Sequence, residues 1–270
     1  MQLETIKITL ENHIAHIALN RADKSNAMNE TMWHDIRRAF DWVDAEPEAR
    51  VAVLSGEGKN FCAGIDLMLM MGIKQMISDD CEARSREKLR RLILDMQDCL
   101  SSLERCRKPV LAAIHGACIG GGIDMVSAAD MRYASEDAYF SVKELDIGMV
   151  ADVGTLQRLP RLVGEGRARE LAFTCRNVSG QEAERINLVN RCFADRETMM
   201  SEVMAMAASI AKKSPVSVRG TKEVLNYSRD HSVAEGLTFV AGWNAAMLMS
   251  ADIQEAIMAS MQKREAQFHN

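Results

Sequence analysis

Three groups of residues in this chain have the types and spacing to do chemistry: a glycine run, a second small-residue loop, and a series of carboxylates. The first is Gly116-Ala117-Cys118-Ile119-Gly120-Gly121-Gly122-Ile123-Asp124, which follows a short apolar segment. Consecutive glycines let the backbone approach a ligand closely, and a helix opening there aims unbonded N–H groups outward. The run holds no G-x-G-x-x-G and no Lys-Ser/Thr follows, so neither a dinucleotide fingerprint nor a phosphate loop fits. Tight strand–helix packing would use the same glycines. The second group, Phe61-Cys62-Ala63-Gly64-Ile65-Asp66-Leu67, repeats the design, with Asp66 placed as a helix N-cap. Two such loops converging would offer a pair of N–H groups to a developing oxyanion, each donor worth about 3–4 kcal/mol. The carboxylates are Asp124, Glu144 and Asp152. On spacing alone each has a structural reading: Asp124 as a helix-dipole partner, Glu144 as a surface charge, Asp152 as the N-cap of the Leu156–Leu162 turn.

These residues need elements to position them. Residues 5–10 and 14–19 read as a hairpin turning at Glu11-Asn12-His13. Met32, Ile36, Ala39, Phe40 and Val43 recur at helical spacing up to Pro47, and Val51–Leu54 is a short buried strand. A helix begins near Asp66. The stripe Leu89, Leu92, Ile93, Met96, Leu100, Leu103 marks a long amphipathic helix over Glu82–Arg105, ended by Pro109. Val110–Ile114 is the next buried strand, and Met131–Ala134 and Tyr139-Phe140 are strand-like. Beyond them the pattern predicts helices only, three or four of them, with breaks near Gly164, Gly180, Pro215 and Ser232. The class is α/β: a domain over residues 1–200 and a helical appendage over 201–270, packed on it or on a neighbouring subunit.

Composition narrows the function classes. Of 270 residues 47% are apolar and 26% charged, the profile of a globular chain. Only 4 Pro and 16 Gly exclude collagen-like and low-complexity readings. A net charge of −5 argues against a nucleic-acid partner, which wants a basic stripe. Seven Cys without paired spacing fit a reducing compartment, and the absence of C-x-x-C, with six scattered His, speaks against zinc. No apolar run reaches the roughly 20 residues of a membrane span. The N-terminus resembles neither signal nor transit peptide, and Phe268-His269-Asn270 is no peroxisomal address, so a cytoplasmic protein is expected. Nineteen Met against 5% aromatics point to apolar surfaces that adapt to something irregular.

Taken together, the motifs resemble one family. The segment Ala112–Gly164, with NRADKSNAMN at Asn20–Asn29 and FCAGIDL at Phe61–Leu67 upstream in the same order, is similar to the crotonase (enoyl-CoA hydratase/isomerase) superfamily. The likeness covers about residues 4–260, and Val142–Pro160 most resembles the Δ3,5-Δ2,4-dienoyl-CoA isomerases, whose acidic trio falls on Asp124, Glu144 and Asp152. The resemblance implies a spiral of ββα turns with C-terminal helices at trimer contacts, in a homotrimer or a hexamer of two trimers. It implies an acyl-CoA thioester substrate whose enolate oxygen rests on the backbone N–H groups of Ile65 and Gly121. The CoA loop would run from Lys24 to Ala27, with Ala63, Asp66 and Leu67 nearby. No metal or redox cofactor is implied, since coenzyme A arrives as part of the substrate.

A hydratase of this family uses two acids, at the positions of Asp124 and Glu144, to activate and deliver water. The resemblance puts position 152 in the acyl pocket, where an unpaired charge costs several kcal/mol and is expected to serve a step. Moving a proton from C2 to C6 of a dienoyl thioester supplies that step, because one carboxylate cannot reach both ends. The expectation is a 1,5 proton transfer: Asp152 takes the C2 proton, Glu144 protonates C6, and Asp124 tunes or orients Glu144. The sequence leaves the roles of Asp152 and Glu144 interchangeable. The alternative is a 2-enoyl-CoA hydratase, disfavoured by the short Asp at 124 where a hydratase carries Glu. An alternative of another class is a non-catalytic acyl-CoA-binding or scaffolding protein, against which the intact trio stands. An acyl-CoA hydrolase or dehalogenase would want a nucleophile outside the trio, and none is placed for it. Met68, Met70, Met71 and Met76 are expected to line or lid the acyl tunnel, Met125 and Met149 to flank the trio, and Met247, Met249, Met258 and Met261 to lie where subunits meet. Cys62, beside the oxyanion loop, reads as a packing residue.

Overall fold

A computed structural model describes residues 1–270. The chain opens with a hairpin of β1 (Ile6–Glu11) and β2 (Ile14–Leu19), joined by Asn12 and His13 at φ 50° and 66°. Two consecutive positive φ values define the turn whose twist matches an antiparallel pair. Helix α1 (Glu30–Ala45) starts where the Asn29 side chain accepts the Met32 N–H, and it buries Met32, Trp33, Ile36, Phe40 and Val43. Strand β3 (Val51–Gly56) follows, then α2 (Leu67–Met76), α3 (Glu82–Arg105), β4 (Val110–Ile114), β5 (Ala117–Ile119) and α4 (Gly121–Ser127). Next come β6 (Met131–Ser135), β7 (Tyr139–Ser141), a 3-10 turn at Glu144–Ile147, α5 (Thr155–Val163) and α6 (Glu165–Thr174). The remainder is β8 (Val178–Ser179), α7 (Gly180–Arg185), β9 (Arg191–Phe193), α8 (Arg196–Ala211), α9 (Pro215–Arg229), α10 (Val233–Met247) and α11 (Ala251–Gln262).

Six strands form one sheet in the order β1-β2-β3-β4-β6-β9, parallel from β2 onward, and β5-β7-β8 form a second. The pairs β4/β5, β6/β7 and β9/β8 each place one strand in the large sheet and one in the small. That is the spiral of ββα turns. Both faces of the large sheet are covered, as parallel strands require. Ala52, Leu54, Ala112 and Ile114 join the main core with α1 and α3. Their sequence neighbours Val51, Val53, Leu111 and Ala113 pack on the other face against Met199, Val203 and Ala207 of α8. Each large apolar side chain so buried contributes about 1.5–3 kcal/mol.

Two expectations need correction here. Seven helices, not three or four, follow β7, and β8 and β9 interrupt them. The boundary at residue 200 also falls inside α8, whose Met199, Val203, Ala207 and Ala211 belong to the sheet's second core layer. The helical tail therefore begins at α9. Lys222 fastens that helix to the core: its Nζ donates to Leu103 O and Lys108 O at 3.1 Å each and to Asp130 Oδ2 at 2.7 Å. Helices α10 and α11 bury little and expose Val233, Leu237, Met247, Ile257, Met258 and Met261, with exposed Met249 between them. No helix is long and apolar enough to cross a membrane.

Candidate active site

The two small-residue loops meet. Cys62 and Cys118 pair as a parallel bridge, Cys62 N–H to Ala117 O at 2.9 Å and Ile119 N–H to Cys62 O at 3.0 Å. On its other side the 61–66 loop is stitched to residues 25–28: Ala63 N–H donates to Ser25 O (3.0 Å), Met28 N–H to Gly64 O (2.8 Å) and Asp66 N–H to Met28 O (3.0 Å). This register uses the amides on both sides of Ile65 and leaves its own N–H without an acceptor. Gly121 opens α4, so its N–H belongs to the unpaired first turn. Gly64 brings the two donors into one place. At φ +89° a Cβ there would stand 2.9 Å from Ile119 O and 3.5 Å from the Gly121 nitrogen. An L side chain would be strained and would part the loops.

The flanking residues support the same corner. Fully buried Asn26 donates from Nδ2 to Glu57 O and Asn60 O at 2.9 and 2.8 Å, and its Oδ1 accepts the Arg21 N–H at 2.9 Å. Arg21 reaches Ala27 O and, at 3.0 Å, Asp66 Oδ2. The fold thus gathers Ala27, Ala63, Asp66 and Leu67, with Lys24 exposed at the rim. Asp66 is the N-cap of α2, accepting the Met68 N–H at 2.9 Å. Cys62 is a buried thiol, pushed up to about 12 by desolvation, which suits packing and not chemistry.

The carboxylates come from three segments that the spiral brings together. Asp124, on the first turn of α4, is 0% exposed. Its Oδ1 accepts the Thr155 N–H at 2.5 Å and its Oδ2 has no partner. Burial pushes its carboxyl up to about 7; the Thr155 contact pulls it down, and the charges of Glu144 and Asp152 push it up again. Glu144, at the head of the 3-10 turn, is buried, which excludes the surface-charge reading. Its Oε1 lies beside Gly120, 3.3 Å from where a Cβ would be, and its Oε2 is unpartnered. Burial, with the Asp152 charge adding to it, holds the Glu144 carboxyl above the usual range. Asp152 is half-buried and is raised by desolvation as well. It is not the α5 N-cap, a position held by Gly154 without any side-chain bond. Asp124 and Glu144 share no hydrogen bond, so any influence of one on the other passes through charge.

Carboxyls gathered this closely oppose one another's ionisation, Asp124 most of all. The sign of the consequence is fixed. Asp124 keeps its proton in the fold up to about pH 7 but loses it near 3.8 when unfolded, so the folded chain binds more protons between those values. Its stabilising contribution is full below the unfolded value and is lost as pH rises through 7, on the order of 4 kcal/mol at most. Thermal unfolding followed from pH 5 to 8 should show a falling midpoint, with a shallower fall in Asp124→Asn. Equal slopes in the two proteins would remove Asp124 as the cause.

Two further features lie next to this cluster. A cavity of about 1030 Å3 between α3, α5 and α9 has Gln97 and Asp152 in its wall, but not Ile65, Gly121, Asp124 or Glu144. Several of its charges are paired, Arg158 with Glu104 at 2.8 Å and Lys222 with Asp130 at 2.7 Å. His34, Asp95 and Cys99 stand close enough to share a cation, a grouping hidden in the sequence because it joins α1 to α3. The Arg37 guanidinium already occupies it, 2.7 Å from Asp95 Oδ1.

A spiral of ββα turns presenting two free N–H groups to a cluster of buried acids defines an acyl-thioester enzyme, and comparison with known proteins agrees. The Enoyl-CoA hydratase/isomerase family model matches residues 9–270, and the chain belongs to that family. It is 47% identical to a peroxisomal Δ3,5-Δ2,4-dienoyl-CoA isomerase of Arabidopsis thaliana, over 98% of this chain and 96% of that one. It is also 47% identical to the mitochondrial Δ3,5-Δ2,4-dienoyl-CoA isomerase of Homo sapiens, over 97% of this chain and 80% of that one. Among solved structures, an enoyl-CoA hydratase of Bacillus anthracis superposes with a TM-score of 0.89 at 28% identity, covering 98% and 99% of the two chains. The cytoplasmic expectation is overturned by these relatives, which are peroxisomal and mitochondrial. Cellular address is not encoded in the residues that build the fold, so composition and cysteine usage were poor guides to it.

Proposed function

We propose that this enzyme isomerises 3,5-dienoyl-CoA to 2,4-dienoyl-CoA by a 1,5 proton transfer between two carboxylates. The observation that carries the reading is the third acid. Asp152 is close enough to Asp124 and Glu144 for its charge to raise both, and its carboxyl bonds to no other residue that would give it a structural use. The C2–H bond breaks toward an Asp152 oxygen, and its electrons spread over the thioester and both double bonds. The resulting dienolate oxygen takes the Ile65 and Gly121 N–H groups. Glu144, kept protonated by burial, delivers its proton to C6, leaving the double bonds at C2 and C4. Asp152 then carries a proton and Glu144 a charge, and exchange with solvent restores the starting state.

Around that centre, Lys24, Ala27, Ala63, Asp66 and Leu67 hold the CoA portion, and coenzyme A enters only as part of the substrate. Helix α2 has no buried residue and exposes Leu67, Met68, Met71 and Met76 next to the oxyanion loop, an adaptable wall for an acyl chain. The apolar face of α10 and α11 supports a homotrimer or a hexamer of two trimers; a monomer in light scattering would contradict this. Neither nucleic acid nor membrane is a partner in this reading.

The competing reaction is hydration, favoured by the likeness to the Bacillus anthracis hydratase. Against it, Asp124 has one oxygen engaged by Thr155, which leaves a single short acceptor for water. Ultraviolet absorbance decides between them. With a 3,5-dienoyl-CoA a conjugated dienoyl thioester band should grow; loss of the enoyl band from a trans-2-enoyl-CoA, with no reaction of the dienoyl ester, would establish the hydratase instead.

A further inference from the structure

The segment that carries Asp152 makes few hydrogen bonds to the rest of the molecule, although Ala151 and Val153 on either side are buried. Val150–Val153 lie in neither helix nor strand, between the 3-10 turn and α5. None of their N–H groups donates to the main chain, and three of their four carbonyls accept nothing. One hydrogen bond holds the stretch: Gln97 Nε2 of α3 donates to the Asp152 carbonyl at 2.6 Å. The next bond along the chain is Thr155 N–H to Asp124 Oδ1, beyond Gly154 at φ +135°. Between those two buried neighbours, the backbone of Asp152 therefore has a single hydrogen-bonded anchor while its carboxyl stays free.

We infer that Gln97 is a positioning residue for Asp152, setting through that carbonyl the distance between the carboxyl and C2 of the substrate. The inference rests on the reading of Asp152 as a proton-transfer group. The helix supplies what the loop lacks. Gln97 sits in the middle of a helix of 24 residues, packed on the core through Cys99, Leu100 and Leu103 one turn further on. A donor on such an element holds a loop to a few tenths of an ångström, and a displacement of about 1 Å at a reacting group can cost roughly 10²-fold in rate.

Gln97→Met keeps the length of the side chain and removes the donor. The expected result is a kcat lower by about 10- to 100-fold with KM within about twofold, because CoA binding is untouched. A second readout isolates the Asp152 step. In a Glu144→Gln background the dienolate can be reprotonated only at C2, so deuterium entry at C2 from heavy water reports proton removal alone. Adding Gln97→Met should slow that exchange by the same factor. A kcat within about twofold of the parent, or a lowered kcat with unchanged C2 exchange, overturns the inference. Gln97→Leu, read in the same way, replaces Gln97→Met should the latter not fold. Asp152→Asn run alongside separates the two ideas. An active Asp152→Asn refutes the role of Asp152 itself, whereas an inactive one beside a normal Gln97→Met refutes only the role of Gln97.

Discussion

Replacing Asp152 by Asn should lower turnover by about 10²–10⁴-fold while leaving the fold intact, and Glu144→Gln should do the same. The size follows from what each side chain is asked to do. A general base or acid contributes that factor when its proton affinity lies near the working pH, and both carboxyls are raised toward it by burial. Neither substitution removes a structural bond. The Glu144 Oε2 has no partner, and Asp152 is anchored through its carbonyl, which Asn keeps. Stability should hold or rise slightly, since a buried group with no hydrogen bond gives up an ionisable form. Circular dichroism and kcat measured on the same preparations check this. Retention of more than about a tenth of the parent rate in either variant would exclude a two-carboxylate transfer.

The second large effect belongs to the oxyanion corner. Gly64→Ala should lower kcat by about 10²–10³-fold. The added methyl would stand 2.9 Å from Ile119 O, a backbone atom of the bridged loop that cannot swing away, at a φ of +89° that L residues avoid. The strain is relieved by parting the 61–66 loop from α4, and that separates the Ile65 donor from the Gly121 donor. One donor lost from such a pair costs about 3–4 kcal/mol in the transition state. Gly72→Ala in α2 is the control, because nothing lies within 4 Å of its Cβ position. It should leave kcat unchanged. Equal behaviour of the two variants would mean that the corner does not hold the thioester oxygen.

How much of this could be read from the residues alone depends on the range over which each feature is determined. The hairpin, α1, α3, β4 and both small-residue loops follow from local periodicity and turn chemistry, and Glu82–Arg105 and Val110–Ile114 fall where the apolar stripes place them. The helices after β7 were undercounted because their boundaries carry little pattern. Pro160 lies inside α5, α5 and α6 are parted by Gly164 alone, and α8 is rich in Met and Ala on all sides. Strands β8 and β9 span only Val178–Ser179 and Arg191–Phe193, too short for any alternation to register. At the site, the residue types and the two loops were legible; their partners were not. Gln97 sits among polar and apolar neighbours of an amphipathic helix, and Thr155 sits one residue past a glycine. What makes them matter is a hydrogen bond across 55 or 31 positions. Asp152 does not cap α5 for the same reason, since a long-range contact from Asp124 to the Thr155 N–H already satisfies the helix start.

The assignment of the two proton-transfer roles is tested most directly by incubating the Glu144→Gln enzyme with a 3,5-dienoyl-CoA in heavy water and recording deuterium by position. With Asp152 as base, deuterium enters C2 of the recovered substrate while no 2,4-dienoyl product forms, and Asp152→Asn shows neither exchange nor product. Exchange at C2 in Asp152→Asn but not in Glu144→Gln would contradict the account and reverse the two roles.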